Sequence, residues 1–321
     1  MFASESASPP ATSAAHFVVL TTGGTIACTT DADGHLVPNL TGRMLVDPVV
    51  SRFAPGSLSV DVRDIALLDS SSLTFSDIDL ILSALHDALA DPKVDGVLIT
   101  HGTDALEETA MALDLAVDDE RPVILTGAIH ASDHPQADGP ENIFEALLVA
   151  MDESARGAGP LVVFGHEVLP ARGVVKTHTE AEKAFGSTVA APRRSAVRPL
   201  AGASLAGTRV DIITAYPGAD GGALDAAIAA GAQGVVIEAM GSGNVGIAMA
   251  DAVERALDAG VPIVVSTRVP FGPTSSAYGG AGGGGILLRK GAVLSQDLRA
   301  PQARMVLAAS IATGTPLTEL F

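Results

Sequence analysis

Short apolar runs that stop at glycine and threonine, each followed by a helical pattern, constrain this chain more than any other feature. Residues 16–20 read as a buried strand that ends at Thr21-Thr22-Gly23-Gly24. Residues 58–65 alternate between apolar and polar and predict a second strand. Residues 76–89 place Ile78, Leu82, Leu85 and Leu89 on one helical face, with Ser76 as the expected N-cap. The alternation continues with strands at 96–100, 122–126 and 161–164 and helices at 105–117 and 141–151. Residues 172–177 are expected to pair with 161–164. After an irregular stretch rich in Pro and Arg, strands are predicted at 210–216, 235–240 and 262–267, and helices at 224–230, 245–257 and 303–312. Alternating β and α elements call for an α/β fold with parallel sheets covered by helices on both faces. In such sheets ligands sit beyond the carboxyl ends of the strands, so the loops after the strands should hold the chemistry.

A chain of 321 residues suits two domains. The expected division is a disordered tail over 1–15, an N-terminal α/β domain over 16–190, a linker over 191–209 and a C-terminal α/β domain over 210–321. At 47% hydrophobic and 17% charged residues a large core can be buried, and at 3% aromatic with no Trp that core must be aliphatic. The formal charge of -18 repels polyanions, which argues against nucleic acid and against an anionic membrane surface as partners. Cys28 is the only cysteine, so no intrachain disulfide can form. No uninterrupted apolar stretch is long enough to span a membrane. The first fifteen residues lack a basic start and an apolar run, so they do not read as a secretory leader.

Three loops and one strand-like stretch carry hydroxyls or charges where the fold expects ligands. The first strand ends in TTGGTIA, 21–27, where Gly23 and Gly24 allow a sharp turn and close approach to a ligand, and Thr22 and Thr25 supply hydroxyls. Read alone, the loop is better taken as a plain glycine turn with its hydroxyls on the backbone. A dinucleotide fingerprint needs a third glycine and a phosphate loop needs Gly-Lys-Ser/Thr, and neither is present. A later strand ends in THGTDALEETA, 100–110. There Asp104 is either a helix N-cap with Glu107 three residues on, or a carboxylate projecting beside the Thr103 hydroxyl to pair with a ligand ammonium. The run Asp69-Ser70-Ser71-Ser72 is either a loop with a cap or a set of hydroxyls and amides suited to a carboxylate. Lys176 lies in a strand-like apolar stretch, where a lysine is unusual. Buried beside Asp104, it would serve as a proton relay. Of eight histidines, His130 and His134 have helical spacing, but Ser132, Asp133 and Pro135 make that segment a loop and no HExxH occurs, so no metal is expected.

TTGGTIA and THGTDALEETA together, in this order and each after a strand, resemble the bacterial-type L-asparaginase family. Further matches are GAIHASDHPQADGPENIFEA at 127–146, RGVVKTHT at 172–179, GSGN at 241–244 and STRVPFG at 266–272. The resemblance runs through nearly the whole chain from about His16. It implies a larger N-terminal domain, a smaller flavodoxin-like C-terminal domain, and homotetramers built from intimate dimers with each site completed by the neighbouring subunit. It implies hydrolysis of asparagine to aspartate and ammonia without metal or organic cofactor. By motif, Thr25 corresponds to the nucleophile. Thr103, Lys176 and Asp104 correspond to the second catalytic group, Asp104 also binding the substrate ammonium. Ser70, with Ser71 beside it, corresponds to the carboxylate-binding serine. Gly24, Ala128 and Asn244 match residues around the substrate. Ala128 is the one whose carbonyl faces the leaving amide.

Two departures stand out. The family's periplasmic members carry a lid tyrosine where this chain reads CTTDADGHLVPNLTG, with Val37 or Pro38 near that place. They also carry a C-terminal glutamate where this chain reads SSAYGGAGGGG, with Tyr278 and no carboxylate. The second region is similar to cytoplasmic members, and a cytoplasmic location is expected. Tyr278 is a candidate partner for Thr25 or an interface residue. A glutaminase-asparaginase of broader specificity stays open, since one methylene of pocket length is worth only about 1–3 kcal/mol. The glutamine-hydrolysing subunit of a tRNA-dependent amidotransferase normally carries an extra N-terminal domain, and only about fifteen residues precede the first strand. The missing third glycine opposes a nucleotide-binding oxidoreductase. The intact Thr25, Thr103, Asp104 and Lys176 oppose a non-catalytic amino-acid-binding protein of the same fold.

Overall fold

The computed structural model describes residues 14–189 and 197–321. Most of the expected tail over 1–15, and residues 191–196 of the expected linker, lie outside the described residues. The run Phe17–Leu20 forms the heart of β1 (Ala15–Gly23) and is buried on both faces. Val18 and Leu20 enter one core while Phe17 and Val19 enter another, as the period of two in a strand requires. A hairpin of β2 (Cys28–Thr30) and β3 (Leu36–Pro38) follows, then α1 (Gly42–Val50), β4 (Leu58–Leu68) and α2 (Phe75–Leu89). Next come β5 (Gly96–Thr100), α3 (Leu106–Ala116), β6 (Val123–Thr126), α4 (Gly139–Met151), β7 (Leu161–Phe164) and β8 (Glu167–Pro170). The six-stranded sheet has the order β4-β1-β5-β6-β7-β8. All its pairs are parallel except the last. Helices α2 and α3 cover one face, and α1 and α4 the other.

The strand order sets where a ligand can sit. The chain leaves β1 to one side for β4 and returns to its other side for β5, so the carboxyl ends of β1 and β5 flank the switch point where open parallel sheets bind ligands.

Two local expectations are corrected. Helix α2 is capped by Thr74, not Ser76. The Thr74 side chain accepts from the Asp77 amide while the Asp77 carboxylate accepts from the Thr74 amide, a reciprocal capping box that places buried Phe75 inside the first turn. The partner of β7 is β8, not 172–177. Gly165 and His166 have φ values of 56° and 65°, the two left-handed positions of a tight hairpin turn, so the chain folds straight back and occupies the free edge of β7. The later segment becomes β9 (Val174–Lys176), which pairs antiparallel with β10 (Phe185–Ser187) in a separate ribbon.

The C-terminal part contains β11 (Val210–Thr214), α5 (Gly222–Ala229), β12 (Gly234–Ala239), α6 (Ile247–Asp258), β13 (Ile263–Thr267), α7 (Gly284–Arg289), β14 (Val293–Leu294) and α8 (Ala300–Thr313). Its four strands are all parallel. Helices α5 and α6 pack on one face. The other face, through Val236 and Val264, joins α8 and the N-terminal helices α2 and α3 in one continuous core. Among the described residues no helix is long and apolar enough to cross a membrane.

Candidate active site

Three loops meet backbone to backbone at the switch point. Gly23 and Gly24 leave β1 with φ of 98° and 80°, a region that side chains with a Cβ rarely enter. A Cβ on Gly24 would lie 2.4 Å from the Gly102 Cα, and one on Gly102 would lie 2.4 Å from the Ser70 Oγ. At Gly24 glycine is therefore required by backbone contact as well as by conformation, while at Gly102 a Cβ would press on the buried Ser70 side chain. The Gly24 amide donates to the Leu68 carbonyl at 3.0 Å, and the Thr22 hydroxyl donates to the Thr100 carbonyl at 2.9 Å. Thr22 thus ties the ends of β1 and β5 together. The half-buried Thr25 opens the single 3-10 turn Thr25–Ala27, held from below by buried Ile26 and Ala27.

On the neighbouring loop, Thr103 is buried and Asp104 exposed. Asp104 caps no helix. The N-cap of α3 is Ala105, without a side-chain bond, and the Asp104 carboxylate instead accepts from Lys176 Nζ at 2.8 Å. The same Nζ donates to Thr103 Oγ1 at 2.9 Å. The lysine arrives from the end of β9, its side chain 22% exposed against 59% for the Asp104 side chain. One end of this triad is thus sheltered and the other open to solvent. Ser70 is buried, and its Oγ accepts from the Asp104 amide at 3.2 Å. Ser71 is exposed, and its amide is engaged by the Asp69 carboxylate at 3.1 Å.

His101 and Glu107 also belong to this neighbourhood, although the sequence offers Glu107 only as a possible capping partner and His101 not at all. His101 is wholly buried, and desolvation of its charged form pushes its pKa down to about 4, so it is neutral at pH 7. Its Nδ1 lies 2.7 Å from the Gly102 carbonyl, which can only accept, so Nδ1 carries the proton and Nε2 accepts from the Thr109 hydroxyl at 3.0 Å. The Gly102 peptide is held from behind by this imidazole. Glu107, in the first turn of α3, is pushed up to about 8 by burial and then by the like charge of Glu108, against the opposing pull of Lys176. It borders a cavity of about 400 Å³ between the two domains, which Lys176, Glu238, Arg268 and Arg299 also line. The only sequence signal for a role in the site is, for either residue, its place within or beside THGTD.

The remaining candidates are spread more widely. Ala128 is buried just after β6. Asn244 lies after β12, its Oδ1 accepting from the Gly284 amide at 3.3 Å. Tyr278 is 58% exposed, and its carbonyl accepts from the Gly285 amide at 3.1 Å. Both stand in the C-terminal part, and none of these bonds reaches the Thr25 or Thr103 loops. The β2–β3 hairpin leaves directly after the Thr25 turn. It is docked at its base, where the Thr30 amide donates to the Asp133 carboxylate at 2.8 Å and the Ser132 hydroxyl donates to the Ile26 carbonyl at 2.6 Å. Leu36 and Val37 are left exposed at its far strand. His130 and His134 stack at 4.4 Å in this docking loop.

Residues 16–198 match the family described as asparaginase, N-terminal, and residues 209–320 match the glutaminase/asparaginase C-terminal domain. The chain is 32% identical to an L-asparaginase of Bacillus licheniformis, over 92% of this chain and 95% of that one. It is also 32% identical to a probable periplasmic L-asparaginase of Haemophilus influenzae, over 88% of this chain and 87% of that one. The crystal structure of a probable cytoplasmic L-asparaginase from Campylobacter jejuni superposes with a TM-score of 0.83 at 27% identity, over 95% of this chain and 97% of that one. With two matching domains in the order the motifs require, and relatives similar over almost their full length, this chain belongs to the asparaginase/glutaminase family.

Proposed function

We propose that this chain is an L-asparaginase that hydrolyses the side-chain amide of L-asparagine through a threonine ester, with Thr25 as nucleophile. The observation that carries the reading is the Lys176 ammonium held between Thr103 Oγ1 and Asp104 Oδ1, on a loop packed against the turn that presents Thr25. In the first half-reaction Thr25 Oγ1 attacks the amide carbon. The C–N bond breaks and ammonia leaves with the hydroxyl proton. Donors in the two glycine-bearing turns face the developing oxyanion. In the second half-reaction a water, positioned at Thr103 and coupled to Lys176, attacks the ester. The Thr25 oxygen leaves and takes back a proton, and aspartate is released. Water is the sole co-reactant, and side chains of this chain supply the nucleophile and the proton transfers, so the reading calls on no metal or organic cofactor. The Asp104 carboxylate pairs with the substrate ammonium, and Ser70, with the Gly24 and Ser71 backbone nearby, receives the α-carboxylate. Ala128 faces the leaving amide.

The active species is read as a dimer of dimers in the cytoplasm, with Asn244 and Tyr278 supplied to each site by a neighbouring subunit. Ammonia release measured separately with L-asparagine, L-glutamine and D-asparagine tests the reaction. Turnover of L-asparagine is expected. No ammonia from either L-substrate overturns the reading, and comparable kcat/KM for both L-amides assigns the broader glutaminase-asparaginase specificity.

A further inference from the structure

Lys176 and the Thr103–Asp104 loop come from different stretches of the N-terminal domain, and both stretches are gripped by one side chain of the C-terminal domain. Gln302, on α8, is 1% exposed. Its Oε1 accepts from the Gly173 amide at 2.6 Å. Its Nε2 donates to the Ala171 carbonyl at 2.8 Å and to the Glu107 carbonyl at 3.1 Å. One amide donor and two carbonyl acceptors admit only one orientation of the side-chain amide, so its identity as a clamp does not depend on an arbitrary choice of O and N.

The three bonded groups are close in sequence to the catalytic cluster. Ala171 and Gly173 lead directly into β9, which ends at Lys176. Glu107 lies in the first turn of α3, shortly after Thr103 and Asp104. A second tie strengthens the same segment. Arg172 donates from Nη2 to the Leu320 carbonyl at 2.8 Å, and its Nη1 lies 3.5 Å from the Asp114 carboxylate of α3. The three-residue β9 is hydrogen-bonded to the equally short β10, a ribbon with few bonds of its own. Its position relative to α3 is set by direct packing on α3, by the Arg172–Asp114 pair and, from outside, by Gln302 of α8.

We propose that Gln302 is a positioning residue for amide hydrolysis: by bonding the β9 approach and the α3 first turn together, it holds Lys176 Nζ at hydrogen-bond distance from Thr103 Oγ1. The inference rests on the reading of Lys176 and Thr103 as a coupled proton-transfer pair. Proton transfer tolerates little displacement, and an error of about 1 Å in a reacting geometry costs roughly 10²-fold in rate.

The test is steady-state kinetics on folded, assembled Gln302→Met, which keeps the length of the side chain and removes all three bonds. The expected result is a kcat lowered about 10–100-fold with KM for L-asparagine within about threefold of wild type. Gln302→Glu retains the acceptor for the Gly173 amide, so it keeps the anchor on β9 and should give an intermediate kcat. It also serves if the Met variant does not fold. A wild-type kcat in either folded variant overturns the proposal, as does a raised KM at unchanged kcat. A loss that tracks the unfolded fraction assigns Gln302 a purely structural role and also overturns it. Lys176→Met, measured in parallel, separates the two levels. If it turns over normally, the coupled-pair reading fails; if it is inactive while Gln302→Met is normal, only the clamp fails.

Discussion

Thr25 is a secondary alcohol on a turn whose preceding Gly24 lies against Gly102 of the Thr103 loop. An alcohol is a weak nucleophile, so its removal should abolish the first half-reaction rather than shift substrate binding. Thr25→Ala is expected to lower kcat roughly 10⁴-fold while the thermal midpoint stays near wild type, because a half-buried loop residue changes and the core does not. Rapid quench followed by mass spectrometry should find an ester on Thr25 in the wild type, and near-normal turnover in the variant would exclude it as nucleophile. His101 makes a separate prediction. Its folded pKa of about 4 lies below its ordinary value of 6.5, so between those values the unfolded chain binds the extra proton. Stability is present in full above pH 6.5 and is lost as pH falls toward 4, by about 3 kcal/mol in the limit. Urea unfolding at pH 7 and pH 4 should show a shallower decline in His101→Gln than in wild type, and equal declines would remove His101 as the cause. Thr25, Thr103, Asp104 and Lys176 stand out in the sequence only through the pairing of TTGGTIA with THGTDALEETA and RGVVKTHT, because alone each hydroxyl or charge also reads as part of a turn or cap; of these, the structure brings Lys176 against Thr103 and Asp104. His101 does not stand out, because nothing in its sequence context reveals that it is buried against a carbonyl.

At the level of elements, the parallel strands were the most legible parts of the fold. A strand buried on both faces shows as a continuous apolar run, and Phe17–Leu20 and Val97–Ile99 are such runs. The misjudged places are a helix cap and a turn. The β7–β8 hairpin depends on left-handed φ at Gly165 and His166, and the histidine gives no warning of it. The short β9 then lost its expected partner, although its Lys176 still reached the site by another route. The crossing of Gly24, Gly102 and Ser70 is the element-scale feature with the sharpest consequence. Gly24→Ala places a methyl 2.4 Å from the Gly102 Cα and forces a Cβ residue to φ 80°. Overpacking and strain together should cost about 2–4 kcal/mol and remove most activity, since the turn presenting Thr25 must move. Gly34, at φ 85°, has open space around it, so Gly34→Ala should cost only about 1 kcal/mol and leave kcat unchanged. Thermal unfolding and ammonia release on the two variants make the comparison, and equal effects would show that conformation alone, not the contact with Gly102, governs Gly24.

Across the whole molecule, the two sheets share a core through α8, and the same helix sends Gln302 into the N-terminal domain. The C-terminal part is thus built into the site's framework from behind, while the bonds of its own loops at Asn244 and Tyr278 stay within that part and do not reach Thr25. Exposed Tyr216, Ile247, Phe271 and Tyr278 leave large side chains of this part uncovered in the single chain. A phenol on a glycine-rich segment suits closure over a neighbour's Thr25, and it equally suits packing at a subunit interface. Tyr278→Phe separates the two because it keeps the ring and removes only the hydroxyl. If Tyr278 orients a neighbour's Thr25, kcat should fall roughly 10²-fold with the oligomer unchanged by light scattering. The wild-type enzyme should then also lose specific activity on dilution, in step with dissociation. If kcat is unchanged in Tyr278→Phe while Tyr278→Ala weakens assembly, the side chain packs and does not take part in the reaction. A fully active monomer would remove the shared-site arrangement altogether.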